Sequence, residues 1–182
     1  MNVKQRINAR KVILSYIYQY CFFNNLQSQD LVAVESLFIG NIFKTDNERF
    51  DTAKKDYLKD IKAYLKGPET EEDLLAFVDL FFNERDKEDI DFDYMAKIGL
   101  TFVKHIPEIT DKVNALTESF KFDQMDTIDQ ALFILGYTER IELETPKEIL
   151  INEMIELAKR YSDDGSPKLL NGIMHKIVNN IS

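Results

Sequence analysis

The sequence predicts an all-α protein, and three observations carry the prediction. Apolar residues recur at three-and-four spacing along most of the chain, breakers are scarce at 6 Gly and 4 Pro in 182 residues, and capping signals stand where the periodic segments begin. No stretch carries the signature of a parallel sheet.

The first helix places Val3, Ile7, Leu14, Ile17 and Cys21 on one face and Lys4, Arg6, Arg10 and Lys11 elsewhere, which gives it a basic stripe. A second apolar run covers Leu31, Val34, Leu37, Phe38 and Phe43. A highly charged stretch from Asp46 to Lys66 follows, with Phe50, Tyr57, Leu58, Ile61 and Leu65 at helical spacing, and Gly67-Pro68 stops it. Thr70 and Asp73 then form a capping pair for a helix holding Leu74, Leu75, Phe77, Val78, Phe81 and Phe82, closed by a polar turn from Glu84 to Asp89. The acids of Asp89-Ile90-Asp91-Phe92-Asp93 begin like a calcium loop. Such a loop needs Gly at its sixth position and Glu at its twelfth, and Tyr94 and Leu100 stand there, so the acids are a solvated cap on a helix from about Phe92 to His105.

Pro107 is expected at the first turn of the next helix, with Ile109, Val113, Leu116 and Phe120 inward. Asp126 caps a helix through Ile128, Ala131, Leu132 and Leu135. Thr145-Pro146-Lys147-Glu148 and Ser166-Pro167 each combine a capping hydroxyl with Pro at the first helical position. With Asp163-Asp164-Gly165 as the turn, helices over about 146–161 and 167–180 form an antiparallel pair. The expectation is about eight or nine helices joined by short connections.

A chain of this size, 45% hydrophobic, buries roughly 70% of its unfolded surface and needs no disulfide or metal. The single Cys21, among Tyr20, Phe22 and Phe23, reads as a buried free thiol and points to a reducing cytoplasm. No segment reaches the roughly 20 apolar residues of a membrane span, and the N-terminus has no signal-peptide core. A net charge of −9 excludes a protein that coats nucleic acid through its whole surface, so any such contact is local. Catalysis is not expected. Only His105 and His175 are available, neither lies in a zinc spacing, Cys21 has no base partner, and the six glycines stand singly rather than in a phosphate loop. No cofactor or metal is called for. The many carboxylates are read as solvent-facing, and His175 as a surface residue of the last helix.

The C-terminal third contains Ile151-Asn152-Glu153-Met154-Ile155-Glu156-Leu157-Ala158-Lys159, a short polar turn, then Lys168-Leu169-Leu170-Asn171-Gly172-Ile173-Met174. In order and spacing these resemble the paired signature helices of the NusB family of bacterial transcription antitermination factors. The likeness extends through Asp129-Gln130-Ala131-Leu132, Glu139 and Pro146, and returns at Arg6, Ala9-Arg10 and Ile17-Tyr18. Asn152 and Asn171 are poor helix formers and are expected to tie neighbouring elements with their amides, while Gly172 is expected to allow close helix approach. The signature is therefore read mostly as scaffold.

The resemblance implies a NusB-like bundle of two helical subdomains in one domain over 1–182. Residues 1–85 form the N-terminal part, with an expanded segment at about 42–66, and residues 86–182 the C-terminal part. It further implies binding of the boxA element of RNA together with the ribosomal protein NusE, acting indirectly on elongating RNA polymerase at ribosomal RNA operons. Carried over by position, Arg6 and Arg10 become phosphate contacts, Tyr18 a stacking or hydrogen-bonding residue, Lys168 a further basic contact, and Asp129 an acid facing NusE. Lys4 and Lys11 join the RNA-binding stripe on charge alone. Ile7, Asn8, Ile134 and Leu169 depart from the family's basic or aromatic residues. The alternative is a protein-interaction module on the same scaffold without RNA binding. A third reading is a domain akin to the one preceding an RNA cytosine methyltransferase, which predicts a catalytic part beyond Ser182.

Overall fold

A computed structural model describes residues 2–28, 65–81, 87–118 and 120–179. Among them are seven α-helices, α1 (Val3–Ser28), α2 (Glu71–Phe81), α3 (Phe92–Gly99), α4 (Phe102–Leu116), α5 (Thr127–Leu143), α6 (Lys147–Tyr161) and α7 (Ser166–Asn179), with a 3-10 turn at Phe122–Gln124 and no strand. The expected helical runs over 31–43 and 46–64, Phe82, and residues 84–86 of the turn at 84–89 lie outside the described residues. The all-α expectation holds.

The bundle is arranged around α5, which packs against α1, α3, α4, α6 and α7. Every residue from Asp129 to Glu139 is buried, so α5 is enclosed on all sides, as a helix apolar around most of its circumference must be. The antiparallel pair is present as α6 and α7. Helix α1 lies against α5 and α3. It buries more than one stripe: Ala9, Val12, Ile13, Leu14, Tyr16, Ile17, Tyr20 and Cys21 are all inside, whereas Val3, expected on the apolar face, is exposed at the helix start.

The Thr70 start signal works as read. Asp73 Oδ2 accepts from the Thr70 and Glu69 amides, both at 2.9 Å, while the Asp73 amide donates to Thr70 Oγ1 at 3.3 Å. Asp91 caps α3 by accepting from the Tyr94 amide at 3.0 Å. At the stop, Gly67 has φ +79°, and an added Cβ would lie 2.6 Å from Val103 Cγ2, so both backbone and space require glycine.

Several local expectations are corrected. The helix read as 92–105 breaks after Gly99, which brings Phe102 into the core edge-on to Tyr16 and Tyr20 at 6.1 and 5.2 Å. Pro107 therefore falls inside α4 rather than in its first turn. Thr145 does not cap α6: its hydroxyl donates to Glu139 Oε1 at 3.0 Å, and Pro146 takes the cap position. At the head of α7 the cap comes from Asp163, whose Oδ1 accepts from the Gly165 and Ser166 amides, both at 2.9 Å. Asn152 and Asn171 are exposed rather than tying elements together, and a Cβ on Gly172 would meet nothing within 4 Å. The close approach occurs at Gly136 instead, where a Cβ would lie 2.6 Å from Met174 Cε and 3.0 Å from Met154 Cγ.

Candidate nucleic-acid interface

The start of α1 is held to the segment leading into α3. Lys4 pairs with Asp89, Gln5 Nε2 donates to the Glu88 carbonyl at 3.0 Å, and Asn8 Nδ2 donates to the Asp89 carbonyl at 3.1 Å. Arg6 Nε lies 2.9 Å from Asp91 Oδ2, with its guanidinium 4.4 Å from the centre of the Tyr94 ring. Although burial opposes it, the Tyr94 amide and Arg6 hold the Asp91 carboxyl below the usual carboxylate range. Lys4 remains largely exposed, whereas Arg6 is mostly covered and committed to Asp91.

One turn further on, Arg10 is 6% exposed and enclosed by the fold. Its Nε and Nη2 reach the two oxygens of Glu139 at 3.0 and 2.7 Å, and Nη1 reaches Glu153 at 3.0 Å. Glu139, fully buried, also accepts from Tyr94 Oη at 2.7 Å and from Thr145 Oγ1. Burial would lower the Arg10 pKa, but hydrogen bonding and charge attraction from Glu139 outweigh it and keep the guanidinium charged. Desolvation and the same carboxylate push the Tyr94 phenol well above its ordinary value. Arg10, expected at phosphate, thus joins α1, α3, α5 and α6 through a bidentate buried pair.

Asp129 is likewise inside, at 4% exposure. Its carboxylate oxygens lie 2.7 Å from the Ser162 and Ser166 hydroxyls, which ties the first turn of α5 to the connection between α6 and α7. The acid expected to face a partner protein is satisfied within the chain, because two hydroxyls occupy the oxygens that would otherwise meet solvent.

The open ground lies between these two anchors. Lys11, Leu14, Ser15, Tyr18 and Gln19 of α1 line a groove with Ile128 of α5 and Tyr161, the last residue of α6. Tyr18 and Tyr161 are 39% and 44% exposed, enough to offer ring faces, and the Arg160 guanidinium lies 5.4 Å from the centre of the Tyr161 ring. Lys168 is exposed in the first turn of α7, just after the connection that Asp129 holds. Among the described residues neither Lys11 nor Lys168 has a carboxylate partner. Two accessible aromatic rings sharing a groove with the Lys11 ammonium are the combination that binds flat bases and their phosphates. Of the predicted site residues, the structure brings Lys11 and Tyr18 together; Lys4 and Arg6 sit near the helix start, and Arg10 and Asp129 turn inward. Tyr161 and Arg160 were missed. The available signal was an aromatic and a cation ending the signature helix.

Other chemistry finds little support in the geometry. Burial pushes the Cys21 thiol up to about 12, so it stays protonated. Among the described residues no group of three or more His, Cys, Asp or Glu could hold a metal ion, and no helix is long and apolar enough to cross a membrane.

Comparison with known proteins yields one family. The sequence model of the NusB family matches residues 61–179, which leaves α1 outside the match. A transcription antitermination protein NusB of Clostridium botulinum (strain Loch Maree / Type A3) is 32% identical over 94 residues, covering 51% of this chain and 67% of that protein. The protein of the same name from Finegoldia magna is 33% identical over 89 residues, covering 48% of this chain and 65% of that protein. The match thus spans about two thirds of the length of these relatives. Among solved structures, NusB of T. maritima superposes with a TM-score of 0.54 at 20% identity, over 96% of this chain and 91% of that one, a likeness of fold.

Proposed function

This chain belongs to the NusB family, and on that premise we propose that it is a transcription antitermination factor that binds boxA RNA together with the ribosomal protein NusE. Bound in this way it supports processive transcription of ribosomal RNA operons, acting on RNA polymerase indirectly and as one domain over residues 1–182, with 1–85 and 86–182 as its two parts. The observation that carries the reading is the groove. It joins the face of α1 that carries Lys11 and Tyr18, the helix the family resemblance assigns to RNA, to Ile128 of α5 and to Tyr161 at the end of α6, more than 100 residues away in sequence.

In this reading Lys11 and Lys168 neutralise phosphates, and Lys4 contributes from the helix start. Tyr18 and Tyr161 offer ring faces to bases, which compensates for Leu169 where the family carries an aromatic. Arg6 reaches RNA only by releasing Asp91. Arg10 fixes the position of α1, and Asp129 influences the NusE surface through the connection it holds rather than by direct contact.

The test is fluorescence anisotropy of labelled boxA RNA and a scrambled control, with this protein alone and with NusE, at two salt concentrations. Tighter binding to boxA, strengthened by NusE and weakened by salt, is expected. Equal binding to both RNAs, or none with NusE present, overturns the reading. The second reading, a protein-interaction module without RNA binding, is favoured by the inward placement of Arg10; it predicts that NusE is captured while RNA stays out of the complex.

A further inference from the structure

The outward face of α7 has an unusual make-up. Lys168, Asn171, Gly172, His175, Lys176 and Asn179 are all exposed, and their three-and-four spacing places them on one stripe. This face carries no acid and no apolar side chain, in a chain with 32 acidic and 23 basic residues. Lys147 Nζ lies 3.2 Å from Asn179 Oδ1, which brings another cation to its far end. The acids preceding the helix are Asp163, committed to capping Gly165 and Ser166, and Asp164 in the turn.

Gly172 is the second, independent observation. A glycine within a helix weakens it, and Asn171 beside it is also a poor helix former. Gly99 and Gly136 have internal reasons, since an added Cβ would press into Leu74 or Met174. Gly172 has none, because its Cβ would meet open space. A gap in the side-chain cover, flanked at four residues on each side by lysines, suits close approach by an extended anion from outside. A protein partner would require an apolar anchor, which this face lacks.

We infer that the Lys168, Gly172 and Lys176 stripe is a second RNA track: the sugar-phosphate backbone leaving the Tyr18 and Tyr161 groove passes Lys168, seats against the bare backbone at Gly172, and meets Lys176. The two lysines stand about 12 Å apart along the helix. This inference rests on the RNA-binding reading above and extends its footprint beyond the groove.

The test compares a short boxA RNA with the same RNA extended by oligouridine at either end, using the full chain with NusE. Lys176→Gln is expected to weaken binding of the extended RNA by roughly three- to ten-fold and to reduce the slope of log affinity against log salt by about 0.7, the loss of one phosphate contact, while leaving the short RNA unchanged. Gly172→Leu should weaken the extended RNA similarly, and Gly172→Ala should raise the melting temperature. Wild-type affinity and salt slope in both Lys176→Gln and Gly172→Leu overturn the track but leave the groove standing. Failure of the wild-type protein to bind either RNA overturns the reading beneath it, and the track with it.

Discussion

Replacing Arg10 with Met should cost the fold about 3 to 5 kcal/mol, the range seen when one partner of a buried ion pair is removed. The magnitude follows from what the guanidinium touches. It makes two bonds to Glu139, at 3.0 and 2.7 Å, in a fully buried setting, and hydrogen bonds to charged groups contribute about 1.5 to 3 kcal/mol each. The third contact, to Glu153, is discounted to under about 1 kcal/mol because that side chain is 27% exposed. Against the roughly 5 to 15 kcal/mol typical of a domain, the loss should lower the urea midpoint by about 2 M at an ordinary denaturant slope. Arg10→Met with Glu139→Leu should recover much of it, since no unpaired charge then remains, although Tyr94 and Thr145 lose their acceptor. Urea unfolding followed by circular dichroism measures both proteins. An Arg10→Met protein within about 1 kcal/mol of wild type, with a shallower salt dependence of RNA binding, would refute the argument and return Arg10 to the phosphates.

Asp91→Asn should be less stable than wild type at neutral pH by about 1 kcal/mol. Because the folded-state pKa of Asp91 is depressed, its contribution is present above the unfolded value near 4 and is lost as pH falls through the folded value; the two proteins should converge below about pH 4 in thermal melts across pH. Cys21, buried with its thiol pushed up to about 12, should resist Ellman's reagent at pH 8 and react fully once urea unfolds the chain. Tyr161→Ala should weaken boxA binding by about ten-fold with little change in stability, the loss of one base stack, and equal affinity would remove Tyr161 from the groove's function. Gly136→Ala should destabilise by about 1 to 3 kcal/mol despite the better helix former, because the methyl meets Met174 and Met154; a rise in melting temperature would show that those methionines yield freely.

The helices were legible because period and punctuation are local. Thr70 with Asp73, the glycine at 67 and the paired motifs at 151–159 and 168–174 each declare an element from neighbouring residues alone. What failed depends on residues far away in sequence. Thr145 has the form of a cap, but Glu139 competes for its hydroxyl. Asn152 and Asn171 have the form of internal ties and Gly172 that of a close helix approach, yet exposure is a property of the assembled bundle that spacing does not report. The site divided in the same way. Lys11 and Tyr18 are neighbours on one helix face, whereas the inward commitment of Arg10 depends on an acid 129 positions away. Tyr161 joins the groove only because α1 and α6 meet.

That last separation has a consequence on the ribosome. At synthesis rates of about 5 to 20 residues per second, some 6 to 26 seconds pass between the emergence of Arg10 and of Glu139, its buried counterion 129 positions downstream. For most of that interval the leading helix is a cationic segment with neither α3 nor α5 to bury its inward side chains against, and α5, which carries Glu139, is completed only after it. Completion of the native bundle is therefore deferred until late in translation, and the nascent N-terminus is the part of this chain most exposed to chaperones and stray polyanions.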